Sequence, residues 1–315
     1  MKKILLTLTV LAGFATASLA QQDRIFTHWM FEKMNFNPGA TAIKGNICGT
    51  LIYRNQWDKW SGAPNSVSLG IEGAVEKWNS GFGLAYTHDA IGFHRSNKLY
   101  LNYSYHLPLA SFGTLGMGAG LGFVNLSRNA TWIPPQTDAD VLLANPSISG
   151  TQFDLNFGLY LQANAGWYVG LSATQLTGLE IKSINNVLTQ HLQVMGGYRW
   201  RNISGSNFDL EPQARIASDF RKVTFDINAL VYWKDLIYGG LSYRFEDAVA
   251  IMAGVNLSSA TNLPDDMNLK IGYSYDIPAN KTITSFNKGT HEIFLKFCMM
   301  PPKKPITKSV HPRWL

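Results

Sequence analysis

Two cysteines, Cys48 and Cys298, are the most obvious candidates for covalent chemistry in this chain. Two cysteines are too few for a disulfide scaffold. Each lies in a stretch of alternating polar and apolar residues, and both fall on the polar phase. If these stretches are the first and last strands of a closed sheet, they are antiparallel neighbours, and a disulfide is geometrically feasible in an oxidising compartment. Two free thiols, offset by one residue of register, are the alternative.

Histidine and serine spacing points away from catalysis and from metal binding. His88 and His94 are too far apart to form a ligand pair on one turn, and His291-Glu292 lacks the second histidine of a zincin motif. Ser104 and His106 share one face of a strand, which is the least that an intramembrane hydrolase needs, but no Gly-x-Ser-x-Gly elbow accompanies them. We therefore predict no enzyme, no metal and no cofactor.

Four glycines, at positions 116, 118, 120 and 122, alternate with apolar residues. A spacing of two places them on one face of a single strand, so they are not a nucleotide-binding loop. Glycine on a lumen-facing surface lets another segment approach the backbone closely. The pattern predicts that a plug or a loop packs there.

Alternation with period two is the dominant signal along the chain. From Val223 to Trp233 the odd positions are apolar, while the even positions include Thr224, Asp226 and Asn228. Successive side chains of a strand point to opposite faces. About fourteen such segments of membrane-strand length occur, near 44–56, 65–77, 81–89, 96–107, 112–127, 151–163, 166–175, 190–202, 207–219, 222–233, 236–246, 248–258, 267–276 and 290–299.

The chain ends and the composition set the class of protein. Residues 1–20 have the positive start, the short apolar run and the small-residue site, Ser18-Leu19-Ala20, of a cleaved signal peptide. Only 15% of residues are charged, and no later apolar run is long enough for a membrane helix. We predict an all-β protein: a closed antiparallel transmembrane barrel of about 14 strands over 44–299, preceded by a periplasmic or plug segment at 21–43 and followed by a periplasmic tail at 300–315. A large secreted β-sandwich is the alternative.

The connections indicate an orientation. The longest ones follow odd-numbered segments, and outer-membrane barrels have short periplasmic turns and longer outer loops. Both termini are then predicted to be periplasmic. The N-terminal segment contains Phe26, Met30 and Phe31, a spacing that permits a short amphipathic helix, which would plug the lumen or bind a partner.

Ordered motifs resemble those of one family. The mature start, with Gln22-Asp23 followed by Asn37-Pro38-Gly39, the first-loop sequence Arg54-Asn55-Gln56-Trp57, and Tyr103-Ser104-Tyr105-His106 occur in the order seen in the PorP/SprF family of type IX secretion system membrane proteins. Arg24 and Gly39-Ala40 depart from that family's pattern. The resemblance covers essentially the whole mature chain.

The resemblance implies a non-enzymatic outer-membrane component of the type IX secretion and gliding-motility apparatus found in Bacteroidota. The implied partners are a peptidoglycan-linked lipoprotein, periplasmic ring lipoproteins, a secreted adhesin or other C-terminal-domain cargo, and outer-membrane lipid, but no nucleic acid. A Pro/Lys-rich tail is the predicted periplasmic docking peptide, because proline preorders it and an aromatic residue and a carboxylate end it. Its candidate binding residues are Lys303, Lys304, His311, Pro312, Arg313, Trp314 and Leu315.

Charges of both signs share the inward phase of the predicted strands: Glu72, Glu76, Arg199, Arg201, Asp209, Glu211, Arg215, Asp226, Arg244 and Asp276. Pairing across the lumen favours a packed, blocked interior over an ion-selective pore. A passive porin or solute channel remains the alternative function.

Overall fold

A computed structural model describes residues 25–129, 147–181, 183–184, 186–259, 264, 266–279 and 288–300. Over these ranges alternating sequence forms extended strands, and fourteen of them close into an antiparallel barrel in which consecutive barrel strands pair and the first pairs with the last. The barrel strands are β1 (Ile47–Asn55), β2 (Asn65–Val75), β3 (Ser80–Ile91), β4 (His94–Leu109), β5 (Gly113–Asn129), β6 (Ser147–Ala163), β7 (Trp167–Thr174), β10 (His191–Tyr198), β11 (Phe208–Ser218), β12 (Val223–Trp233), β13 (Ile237–Arg244), β14 (Ala248–Asn256), β15 (Met267–Pro278) and β16 (Thr290–Met299). The prediction of a fourteen-stranded barrel is confirmed.

A small hairpin that is not part of the barrel sheet was not predicted. Strands β8 (Glu180–Ile181) and β9 (Asn186–Val187) pair with each other in the link between β7 and β10. The barrel itself has two ends. The turn end is the end at which β1 starts and β16 finishes. The loop end is the opposite end, and it carries the links that follow β1, β3, β5, β7, β11, β13 and β15.

Apolar side chains cover the outside of the barrel, and polar ones face the lumen. On β12 the odd positions, such as Phe225 and Ile227, are exposed, whereas Asp226 and Asn228 are buried. This is the alternation that a barrel needs when lipid surrounds it. No helix in the described ranges is long and apolar enough to span a membrane.

Strand ends account for two errors of extent. Glu76 lies in the 3₁₀ turn Glu76–Trp78, and Arg201 follows β10, so neither faces the lumen from a strand. In both cases sequence alternation continued past the last paired residue. His291 lies on the outward phase of β16, where its Nδ1 is 2.7 Å from the Tyr273 hydroxyl.

The seam between β1 and β16 is covalent. Cys48 and Cys298 are directly opposite in the strand register, both are buried, and their sulfurs are bonded. The bridge lies beside the turn end, one residue inside Ile47 and Met299. It therefore links the two strands that close the barrel into a ring.

The plugged lumen as the candidate functional site

Residues 25–43, which we call the plug, fill the lumen. They form three 3₁₀ turns, Trp29–Phe31, Lys33–Asn35 and Pro38–Ala40, rather than the single amphipathic helix that the spacing permitted. Proline suits the start of a turn but not a helix interior, and the Asn37 side chain caps the third turn by accepting from the Gly39 N–H at 2.9 Å. The short turns let the segment follow the length of the barrel.

A buried ionic cluster holds the start of the plug, and we call it the latch. The Arg54 guanidinium donates to Asp276 at 2.7 Å and to Glu292 at 3.0 Å, and it also donates to the Thr27 hydroxyl. Glu292 accepts from the backbone N–H groups of Thr27 and His28 at 2.9 and 2.7 Å, and its carboxylate is 2.8 Å from His28 Nδ1. Charge-assisted bonds of this kind are the strong ones, so the latch fixes the plug to β1, β15 and β16.

A second ionic group extends the latch along the wall. Asp226 lies between Arg215, at 2.6 Å, and Arg244, at 3.0 Å. Arg215 also lies over the rings of Trp29 and Phe36, with its central carbon 5.6 and 4.6 Å from their centroids. The prediction that lumen charges pair is confirmed here, and cation–π contact adds the plug to the pairing.

Glycines on the lumen face of the barrel let the middle of the plug pack directly against the strand backbones. A Cβ on Gly116 or Gly118 would collide with the backbone of Gly39 or Pro38, and one on Gly158 would collide with the Asn37 side chain. The glycine face predicted on β5 is therefore the surface that the plug approaches. On the opposite side Phe31 stacks on Phe294 with ring centroids 4.4 Å apart.

Ser104 and His106 hold the plug and do not contact each other as a catalytic pair. Ser104 donates to the Gly39 carbonyl at 3.1 Å, and His106 Nε2 is 2.9 Å from the Thr41 carbonyl. The described residues contain no cluster of histidine, cysteine, aspartate and glutamate suited to a metal ion.

Glu32 is a buried acid on the plug, and its carboxylate lies against Gly70 on the lumen face of β2. Burial raises its pKa to about 8, and nearby Lys296 lowers that pKa only in part. A carboxyl whose folded pKa exceeds its unfolded pKa favours the folded state fully at low pH and loses that contribution as pH rises through the folded value. Plug docking should weaken between about pH 4.5 and pH 8.

We expect the plug to open more often at pH 9 than at pH 6. At pH 9 the Glu32 carboxyl is ionised, and a buried charge that water cannot solvate destabilises the docked plug. Single-barrel conductance in planar bilayers measures this, and Glu32→Gln should flatten the pH dependence. Glu180→Gln, at an exposed acid of the β8–β9 hairpin, is the matched control and should behave as the wild type. The same pH dependence in Glu32→Gln would show that another group carries it.

The plug runs from the loop end to the turn end. Thr27 contacts the loop-end residues of the latch, and Thr41 lies beside Gly81 and His106 near the turn end. The first described residue, Ile25, therefore lies at the opposite end of the barrel from the last, Met300. The two termini themselves lie outside the described residues, so the prediction that both are periplasmic stays a prediction.

A cavity of about 500 Å³ opens above the plug at the loop end. Ile25 contributes to its lining, and the walls carry Lys98, His191, Lys222, Arg244, Asp89, Glu246 and Asp247. Both signs of charge line it, which suits a polar partner of mixed charge rather than a simple anion or cation.

The first-loop motif is divided between three environments. Arg54 belongs to the latch, and Asn55 lies on the outward phase of β1. Gln56 lines the loop-end cavity, and Trp57 lines both this cavity and a second one on the outer rim of the loop end. The tail residues Lys303, Lys304, His311, Pro312, Arg313, Trp314 and Leu315 lie outside the described residues. Sequence reasoning missed the role of Glu292, whose inward phase opposite Arg54 was the available signal.

Comparison with known proteins fits this architecture. The family model described as "Type IX secretion system membrane protein PorP/SprF" matches residues 18–297. The chain belongs to the PorP/SprF family. This PorP/SprF protein is thus an outer-membrane β-barrel of the type IX secretion system, as its motifs implied. A comparison with curated proteins finds no match.

Solved structures similar to this PorP/SprF protein are outer-membrane barrels. A Pseudomonas aeruginosa FadL homologue is 10% identical, with a TM-score of 0.52 over 84% of this chain and 92% of its own. A structure titled "CymD monoaromatic hydrocarbon channel" is 9% identical, with a TM-score of 0.51 over 85% and 91% of the two chains. At such identities the likeness concerns the fold alone.

Proposed function

We propose that this barrel is a non-conducting, non-enzymatic membrane partner in type IX secretion. Its loop-end cavity contacts a secreted or surface protein, and its tail engages a periplasmic anchoring lipoprotein. A role in gliding belongs to the same proposal. The observation that carries it is the plug: a segment that runs through the lumen from the loop end to the turn end and is latched by buried charges leaves the two ends of the barrel as the working surfaces.

The orientation follows from the links. Long connections normally face outward and short turns face the periplasm, so the loop-end cavity faces the cell exterior and Met300 faces the periplasm. The tail that follows Met300 then starts on the side where an anchored lipoprotein would be reached. Its proline content favours an extended peptide of low conformational entropy.

Truncation after Met300 tests the tail. We expect the shortened protein to insert and to keep a closed lumen, but to lose the anchoring lipoprotein from complexes purified from native membranes. Arg313→Gln with Trp314→Ala should weaken the same contact by roughly thirtyfold in Kd, since such residues are typical hot spots of about 2 kcal/mol. Lys308→Gln, within the same tail, serves as control. Normal complexes and normal secretion after truncation would contradict the docking role.

The alternative function, a passive porin or solute channel, makes an opposite prediction for the intact protein. Steady open conductance of the purified wild type in planar bilayers would favour a channel. A closed wild type that opens only when the plug is loosened would favour the partner role. The plug's packing against both halves of the wall supports the second outcome.

A further inference from the structure

A second cavity lies outside the lumen, on the rim of the loop end. We call it the Trp57 pocket; it has a volume of about 290 Å³, and its polar and aromatic lining residues are Asn55, Trp57, Lys59, Trp60, Asn65 and Arg95. Two basic side chains and two side-chain amides line the pocket, and none of its lining residues carries a carboxylate. The pocket is therefore electropositive and rich in hydrogen-bonding groups.

Its two cations and the Trp60 ring are exposed to solvent. Lys59 is exposed and has no hydrogen-bond or ion-pair partner within the described part of the chain. Arg95 Nη1 donates to the carbonyls of Gly92 and His94 at 3.0 and 3.2 Å, which holds the guanidinium at the rim. The rings of Trp57 and Trp60 are 6.1 Å apart and tilted by 51°, and Trp60 is 46% exposed.

The strand register places the pocket above lipid-facing columns. Asn55 pairs with Asn65, Asn65 with Ala90, and Ala90 with Arg95, so the outward ends of β1 to β4 form its floor. Two residues along the strands toward the turn end, the outward positions are Tyr53, Val67, His88 and Asn97. After two more residues they are Leu51, Leu69, Tyr86 and Leu99. The outward face thus passes from apolar to polar in two steps below the pocket.

The length of β4 shows where hydrocarbon ends. Its outward positions between Leu99 and Leu109 are apolar or aromatic, and Asn97 and Arg95 lie beyond them. Ten residues at about 3.4 Å each, tilted by about 45°, span roughly 24 Å, which is the usual height of a barrel's apolar band. The Trp57 pocket therefore lies just outside the hydrocarbon, at the depth of lipid headgroups.

We propose that the Trp57 pocket binds the phosphorylated saccharide headgroup of an outer-leaflet glycolipid. Lysine and arginine recognise phosphate, asparagine amides donate to sugar hydroxyls and accept from them, and an exposed indole offers a flat apolar face to a sugar ring. Basic pockets at membrane surfaces bind lipid headgroups in the same way. The assignment uses the orientation in which the loop end faces outside, and it is independent of the plug.

The chain supplies a matched pair of variants. Lys59-Trp60 lies in the pocket, whereas Lys77-Trp78 lies at the opposite end of the barrel, where Trp78 is 61% exposed. Protein in nanodiscs is titrated with phosphorylated lipid A, with the same glycolipid after phosphatase treatment, and with phosphatidylglycerol. Binding is measured by native mass spectrometry, and retention of the disulfide and of heat-modifiable migration verifies folding.

We expect Lys59→Gln with Trp60→Ala to raise the Kd for phosphorylated lipid A by roughly tenfold or more, the equivalent of about 1.4 kcal/mol. Lys77→Gln with Trp78→Ala should leave it unchanged, and the dephosphorylated glycolipid should bind more weakly to the wild type. Equal binding by the wild type and both double variants would overturn the proposal. So would equal affinity for phosphatidylglycerol, which would reduce the site to a general attraction for anionic lipid.

Discussion

Replacing Arg54 with methionine should open the lumen of this barrel. Arg54 is 2% exposed and is shared between Asp276, Glu292 and the Thr27 hydroxyl. Its removal leaves Glu292 without its guanidinium partner and Asp276 with only Arg244, at 3.5 Å, and breaking a buried pair in this way costs about 3–5 kcal/mol. The plug then loses its anchor at the loop end. We expect conductance steps in planar bilayers to be much more frequent for Arg54→Met than for the wild type at the same pH.

Two further variants separate charge from shape. Arg128→Ala removes an exposed arginine at the loop end of β5 and should leave the lumen closed. Arg54→Met combined with Asp276→Asn and Glu292→Gln removes the uncompensated charge while keeping hydrogen-bonding oxygens for Thr27 and His28. Replacing a whole buried ionic group is often close to neutral, so the triple variant should close again. A triple variant as leaky as Arg54→Met would mean that the side-chain packing of Arg54, and not its charge, holds the plug.

Alternation predicted the strands well because each strand has two different environments, lipid on its outer face and a polar lumen on its inner face. β12 begins at Val223 and ends at Trp233, where the alternating run does. Errors occurred where the pattern outlasts backbone pairing, as at Glu76 after β2 and Arg201 after β10. The β8–β9 hairpin was missed because two residues per strand are too few to show a period.

The plug was predicted as a segment but not as a latched path, because its contacts span the chain. Glu292 and Asp276 are 238 and 222 residues from Arg54. One deduction was nevertheless available. If Cys48 pairs with Cys298, an antiparallel register places Arg54 opposite Glu292, since each lies six residues from its cysteine, and the structure has this pairing. The register set by the disulfide would thus have predicted the ion pair between Arg54 and Glu292. The contacts of Thr27 and His28 with this pair depend on the three-dimensional packing of the plug.

Removing the seam disulfide should produce the largest loss of barrel stability among conservative changes. In Cys48→Ser with Cys298→Ser the chain between the two positions is no longer closed, and this loop contains nearly the whole barrel, with a sequence separation of 250. Long closed loops stand at the upper end of disulfide stabilisation, which is about 2–5 kcal/mol when a native bridge is lost. We expect the folded, fast-migrating form to convert to the unfolded form at a lower temperature in semi-native gels.

Reduction distinguishes the bond from the serine side chains. Dithiothreitol should lower the conversion temperature of the wild type to that of the double variant and leave the double variant unchanged. The lumen should stay closed in the double variant, because the plug is latched at the loop end and the bridge lies at the turn end. Seam and latch therefore give separable effects, one on melting and the other on conductance. Alkylation of both cysteines in unreduced protein would show that the bond is absent and would remove the basis for the expected loss.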